Sequence, residues 1–173
     1  MNYATMYPSD LVNGEGVRTS LFVSGCTHHC KGCFNVPAQD FSYGEPYDDA
    51  VRKEVLKHLE RPYVDGLTLL GGEPMEPSNQ EALLPLIRDA SEIGKTIWIY
   101  SGYTWEQLTD PKNERCRSSC TDEILSLIDV LVDGEFVLEE KDLSLPFRGS
   151  RNQRIIDVRK TRESGKVVLY DNF

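Results

Sequence analysis

Four short apolar runs, each closing on a glycine, set the strongest limit on how this chain can fold. They are "RTSLFVSG" (18 to 25), "GLTLLGG" (66 to 72), "KTIWIYSG" (95 to 102) and "DVLVDG" (129 to 134). Short apolar runs that stop at glycine predict strands. "RIIDV" (154 to 158) and "KVVLY" (166 to 170) are weaker strand candidates. The intervening segments carry helical spacing. "DDAVRKEVLKHL" (48 to 59) places Val51, Val55, Leu56 and Leu59 on one stripe, with Asp48 or Asp49 as N-cap. "PSNQEALLPLIRDASEIG" (77 to 94) has Ser78 or Asn79 as cap and Gly94 as stop, with Pro85 marking a kink or a late start. "TDEILSLI" (121 to 128) follows a cap at Thr121.

Strand alternating with helix predicts a mostly parallel sheet with crossover helices, an α/β architecture. Near-continuous apolar strands fit a sheet with helices over at least one face. In such sheets chemistry gathers at the carboxyl ends of the strands. Distinctive residues follow all four strands here: a cysteine cluster, "GGEP", "SGY" and "DGEF". One edge of one sheet would bring them together. The length of 173 residues suits a single domain, 1 to 173, with a surface insertion at 109 to 120 and a C-terminal extension at 159 to 173.

The charge balance narrows the function classes. A formal charge of −9, from 19 basic and 28 acidic residues, lacks the basic face that nucleic acid phosphates require. No apolar run approaches a membrane span. The start, "MNYATMYPSD", has no basic segment leading into an apolar core. The chain is therefore expected to be cytoplasmic, with no nucleic acid and no membrane partner. In that reducing compartment five cysteines read as metal ligands, catalytic groups or free thiols before disulfides.

Three of the five stand together in "FVSGCTHHCKGCFN" (22 to 35), spaced C-x3-C-x2-C at Cys26, Cys30 and Cys33. Zinc modules use four ligands, and His28 or His29 would complete the count. Four ligands from so short a loop would strain a tetrahedron. Three thiolates fit a [4Fe-4S] cube with one open iron, a binding position for a small chelating molecule such as an amino acid. Both readings stand on the residues alone.

The cysteine spacing followed by an aromatic, Phe34, resembles the motif of the radical S-adenosylmethionine (SAM) enzymes. More narrowly, the chain is similar to the activating enzymes of the anaerobic, class III ribonucleotide reductases. The resemblance is carried by "VNGEGVRTSLFVSGCTHHCKGCFN" (12 to 35), "LTLLGGEPMEPSN" (67 to 79), "IWIYSGYTWEQL" (97 to 108), "IDVLVDGEFV" (128 to 137) and "FRGSRNQRI" (147 to 155), in that order. It implies an incomplete (β/α) barrel of the radical SAM type. It implies Cys26, Cys30 and Cys33 as cluster ligands, and SAM chelating the fourth iron through its amine and carboxylate. One electron would then break the C5′–S bond, and the 5′-deoxyadenosyl radical would take hydrogen from a glycine of the reductase. The implied partners are the glycyl radical subunit of that reductase and an electron donor such as reduced flavodoxin.

The same resemblance assigns SAM contacts. Backbone from Gly32 through Cys33 to Phe34 would lie against the adenine. Gly71 and Gly72 would admit the ligand closely, and Glu73 would accept from its amine. Ser101 would bond its ribose or carboxylate, and Asp133 would reach the same ligand or a cation. Asn13, Gly14, Glu15, Gly16 and Arg18 would form a loop approaching the site. Glu135 stands where related activases often carry lysine, so no role in binding the SAM carboxylate passes to it. Cys116 and Cys120, outside the shared pattern, read as reduced surface thiols. Rival enzymes of the same chemistry are an activase for another glycyl radical enzyme, or a small-molecule enzyme such as a deazaguanine synthase.

Overall fold

The structure, a computed structural model, describes residues 1–171. Its elements run β1 (Asn2–Asp10), β2 (Arg18–Val23), β3 (Glu45–Pro46), α1 (Asp49–Leu59), β4 (Gly66–Gly71), α2 (Pro77–Glu92), β5 (Thr96–Ser101), α3 (Trp105–Thr109), α4 (Thr121–Leu127), β6 (Val130–Asp133), β7 (Arg154–Asp157) and α5 (Val158–Ser164). One seven-stranded sheet has the order β3-β1-β2-β4-β5-β6-β7. Its centre is parallel. Arg18 pairs with Gly66 and Val23 with Gly71, then Gly66 with Thr96, then Ser101 with Asp133. Antiparallel strands flank that centre, β1 beside β2 and β7 beside β6. The sheet does not close on itself, so the architecture is an incomplete (β/α) barrel.

Alternation along the strands explains its two faces. Leu21, Val23, Leu67, Leu69, Ile97, Ile99 and Leu131 face the helices. There they join Val55 and Leu59 of α1, Leu83, Leu86 and Ile87 of α2, and Ile124 of α4 in the main core. Each fully buried aliphatic side chain contributes roughly 1.5–3 kcal/mol, so this layer dominates stability. The opposite face carries a smaller cluster of Trp98, Val130, Val132 and Ile155. It also holds Arg18, 1% exposed, with its guanidinium 5.3 Å from the Trp98 ring. Arg18 donates to Thr68 Oγ1 and to the Leu67 and Thr96 carbonyls. Burial pulls its pKa down to about 10, which still leaves it charged.

The expected elements form, with shifted boundaries. Asp48 caps α1, accepting from the amides of Ala50 and Val51. Neither Ser78 nor Asn79 caps α2. Pro77 takes the first helical turn, where its missing N–H costs nothing, and Glu76 precedes it. The Asn79 amide instead donates to the carbonyls of Ser24 and Glu73. The helix continues through Pro85. Thr121 is the first residue of α4, and its hydroxyl donates to Gln80 Oε1 at 2.6 Å. Residues 166–170 form a single bridge, Leu169 to Ile156, beside β7. Asn172 and Phe173, the end of the expected C-terminal extension, lie outside the described residues.

Three features correct the sequence reading. β1 was not expected. Its ladder with β2 is broken by irregularities at Tyr3/Thr5 and Tyr7/Asp10, and Pro8 sits inside it, so no clean alternation marks it. The segment 13–17 leads into β2, with Arg18 as that strand's first residue, at the opposite end of the strand from the cysteines. Six residues at ~3.3 Å each separate the two ends by roughly 20 Å, so this loop does not approach the site. Cys116 is not a surface thiol. It is fully buried in the main core, and Gln80 donates to its carbonyl.

Candidate functional site at the carboxyl edge of the sheet

Parallel strands deliver the four marked segments to one edge. The loop after β2 is fixed at its base by backbone. Gly25 N donates to Ala38 O at 2.8 Å, Gly72 N to Val23 O at 2.7 Å, and Glu73 N to Gly25 O at 2.8 Å. The two glycines of "GGEP" make this contact possible. A Cβ on Gly71, at φ 111°, would lie 2.7 Å from Val23 O. One on Gly72 would lie 2.6 Å from Gly25 O and 2.7 Å from Ala38 O. Both glycines therefore serve the joining of the cysteine loop to the end of β4.

Further along, Thr27 donates its amide (2.8 Å) and hydroxyl (2.6 Å) to Glu76 Oε1. Glu76 is 5% exposed and projects from just before α2, so the second acid of "GGEPMEP" grips the loop from below. Cys26 stands just before Thr27, with Cys30 and Cys33 beyond it in the loop, and all three are free, partly exposed thiols. Burial, reinforced by Glu73 and Glu76, pushes the Cys26 thiol up to about 12. Burial also raises Cys30, with Glu135 and Cys33 adding to the shift. The Cys33 amide donates to the Cys30 carbonyl, and Asn35 N lies 3.4 Å from Cys33 Sγ. Gly32 takes φ 76°, and a Cβ there would meet Leu138 at 2.9 Å. Phe34 stands 83% exposed at the lip.

Glu73 is 1% exposed. Its Oε1 accepts from Met75 N at 2.8 Å, and its Oε2 from Gly102 N at 2.6 Å. His28 Nε2 also reaches Oε2 at 3.1 Å, while His28 Nδ1 lies 2.8 Å from Glu135 Oε1. Burial alone would lower the His28 pKa. The hydrogen bonds and charges of Glu73 and Glu135 outweigh it, and the net shift is upward. Ser101, 5% exposed at the end of β5, accepts from Tyr103 N at 3.0 Å. Asp133, 1% exposed at the end of β6, accepts from Trp105 N and from Arg154 Nε and Nη2 at 2.7, 2.9 and 2.5 Å. A cavity of about 440 Å³ opens beside these groups, lined by Gly102, Asp133, Gly134, Glu135 and Arg154 among others.

The structure thus brings Gly71, Gly72, Glu73, Ser101 and Asp133 to the same edge as the three cysteines. It also adds residues that sequence reasoning passed over. Glu76, Asn79, Tyr103 and Arg154 hold the expected site residues in place. Glu76 and Asn79 lay inside "GGEPMEPSN", but nothing in the spacing says which acid faces the ligand and which the loop. His29 Nδ1 lies 2.9 Å from Gln39 Oε1. Among the described residues no three His, Cys, Asp or Glu side chains converge as a single metal ion needs. A cube spreads its thiolates over separate irons, so the donor set of three thiols and no fourth ligand fits it.

Comparisons with known proteins bear on this geometry. A family described as a 4Fe-4S single cluster domain matches residues 12–156. A Haemophilus influenzae protein is 43% identical over 159 residues, covering 90% of this chain and 97% of its own length. An Escherichia coli K12 protein is 38% identical over 163 residues, covering 92% of this chain and all of its own. An Enterobacteria phage T4 protein is 38% identical over 159 residues, covering 90% and 93%. All three are named anaerobic ribonucleoside-triphosphate reductase-activating protein.

Proposed function

Because the chain belongs to the family of anaerobic ribonucleoside-triphosphate reductase-activating proteins, we propose that it activates that reductase through SAM bound at a [4Fe-4S] cluster. The observation that carries the reading is one loop with three free thiols, spaced C-x3-C-x2-C, whose His28 reaches the buried Glu73 at the end of the next parallel strand. Cys26, Cys30 and Cys33 would hold the cluster, leaving one iron for the SAM amine and carboxylate. When bound, this pair would supply one-electron cleavage of the sulfonium C5′–S bond, giving methionine and a 5′-deoxyadenosyl radical that takes hydrogen from a reductase glycine.

The chain's own groups supply placement. Glu73 would accept from the SAM amine. Ser101 would face the ribose or carboxylate. Backbone from Gly32 to Phe34 would lie along the adenine, and Gly71 and Gly72 would keep the floor of the site thin. Asp133 would act mainly through Arg154, which already engages its carboxylate. The open sheet leaves a lateral mouth for a glycine-bearing loop of the reductase subunit. Reduced flavodoxin or a similar carrier would deliver the electron. Residues 1–173 would act as one domain. No helix among the described residues is long and apolar enough to cross a membrane.

The test mixes the anaerobically loaded chain with purified reductase, SAM and dithionite and reads electron paramagnetic resonance. A glycyl radical signal that requires all components is expected. No radical on the reductase, with the cluster intact and SAM consumed, would move the activity to another substrate.

A further inference from the structure

We propose that His28 is a positioning residue that orients Glu73 for the SAM amine and ties the cysteine loop to three strand ends. This rests on the reading above that Glu73 takes that amine. His28 lies between two cysteines, yet its side chain is only 3% exposed. An imidazole in a loop of partly exposed thiols would ordinarily turn to water, so its burial calls for a built socket.

The socket is built by four residues from three separate strand ends. After β4, Glu73 Oε2 meets Nε2 at 3.1 Å. After β5, the Tyr103 ring lies 4.3 Å from the imidazole, centroid to centroid. Gly102 forms the floor, where a Cβ would come within 2.6 Å of the His28 Cδ2 and Nε2. After β6, Glu135 Oε1 meets Nδ1 at 2.8 Å. Gly102 also donates its amide to the same Glu73 oxygen that His28 reaches. The backbone just past β5 and the imidazole thus converge on one carboxylate oxygen and fix its direction.

Glu73 keeps acceptor capacity beyond these bonds. A carboxylate offers about four lone-pair directions, and three donors are engaged here: Met75 N, Gly102 N and His28 Nε2. The unengaged direction is where an incoming ammonium would bind. His28 sets which direction that is, so its loss should weaken the ligand rather than the cluster. Glu135 acts through His28 in this arrangement, holding the far side of the ring.

The two ring nitrogens permit a rescue test. Gln places its amide nitrogen close to the position of Nε2, and Asn places its own close to Nδ1. SAM binding to the anaerobically loaded protein is measured by equilibrium dialysis, with iron per chain determined on the same samples. His28→Ala is expected to weaken SAM about tenfold, at the lower end for a lost charge-assisted bond because two amides still hold Glu73. Iron content stays at the wild-type level. His28→Gln recovers most of the affinity, and His28→Asn does not. Wild-type affinity in His28→Ala, iron loss in that variant, or equal weakness in the Ala and Gln variants would each overturn the proposal.

A second measurement separates this inference from the function it rests on. In the metal-free chain, His28→Ala and Glu73→Gln are combined and urea unfolding is followed. The contact predicts that the pair changes the unfolding constant about fivefold less than the product of the single effects. Coupling without SAM binding in the wild type would sink the proposed function and leave the contact standing. Additive effects would sink the contact itself.

Discussion

Replacing Arg154 with Met removes a cation from a carboxylate that has little other means of support. Asp133 is 1% exposed and accepts two bonds from Arg154 and one from the Trp105 amide. The Arg154 guanidinium also reaches both Glu106 oxygens, at 3.1 and 2.7 Å. These two carboxylates raise the Arg154 pKa, and Arg154 in turn holds the Glu106 carboxyl below its usual range. Breaking a buried pair from one side costs about 3–5 kcal/mol. The Arg154 side chain is 32% exposed, so water screens part of that. The expected loss is about 3 kcal/mol, or roughly 6–12 °C in melting temperature for a domain of this size. Urea unfolding of the metal-free chain, followed by circular dichroism, measures it. Asp133→Asn should cost a similar amount, and the double variant should fall short of the sum by about 1 kcal/mol or more. A loss under about 0.5 kcal/mol for Arg154→Met, the usual range for a plain surface change, would refute the lock.

Gly72→Ala should be poorly tolerated, because its Cβ would meet two carbonyl oxygens, of Gly25 and Ala38, that belong to backbone. A cost of about 1–3 kcal/mol is expected from the overpacking, read by thermal melting, together with reduced iron loading. A melt and loading equal to wild type would show that the loop base yields. Asp142 gives a pH signature. The Ser144 hydroxyl and amide and the Arg151 guanidinium lower its pKa from 3.8 to about 2. A depressed carboxyl stabilises the fold fully above the unfolded value and ceases to do so as pH falls through the folded one. The stability gap between wild type and Asp142→Asn should therefore be full at pH 7 and close between about pH 4 and pH 2. A gap still undiminished at pH 2 would remove Asp142 as its source.

The central strands were legible because burial on both faces writes each as an apolar run, and glycine marks where each ends. The placement of the site followed from parallel topology, which fixes the edge at which "GGEP" and the cysteines meet. β1 was illegible because its irregular pairing and Pro8 erase alternation. The short helix α3 escaped because its capping box, Thr104 with Gln107, spans only the few residues that it caps. The polarity of 109–120 concealed Cys116, whose burial depends on Gln80 from α2, a contact 36 positions distant in sequence. The socket of His28 is hidden in the sequence for a related reason. Its burial comes from Glu73, Tyr103 and Glu135, none of them a neighbour along the chain. Asp133 illustrates the converse. It ends its strand as expected, but its engagement by Arg154 depends on an antiparallel strand whose register no motif announces.

If Cys26, Cys30 and Cys33 hold a cube whose open iron takes SAM, reductive cleavage cannot proceed without all three thiolates. Anaerobic reconstitution with SAM and dithionite, followed by quantitation of 5′-deoxyadenosine, reads that dependence. Product is expected from the wild-type chain and none from Cys30→Ala. Undiminished product in Cys30→Ala would contradict it.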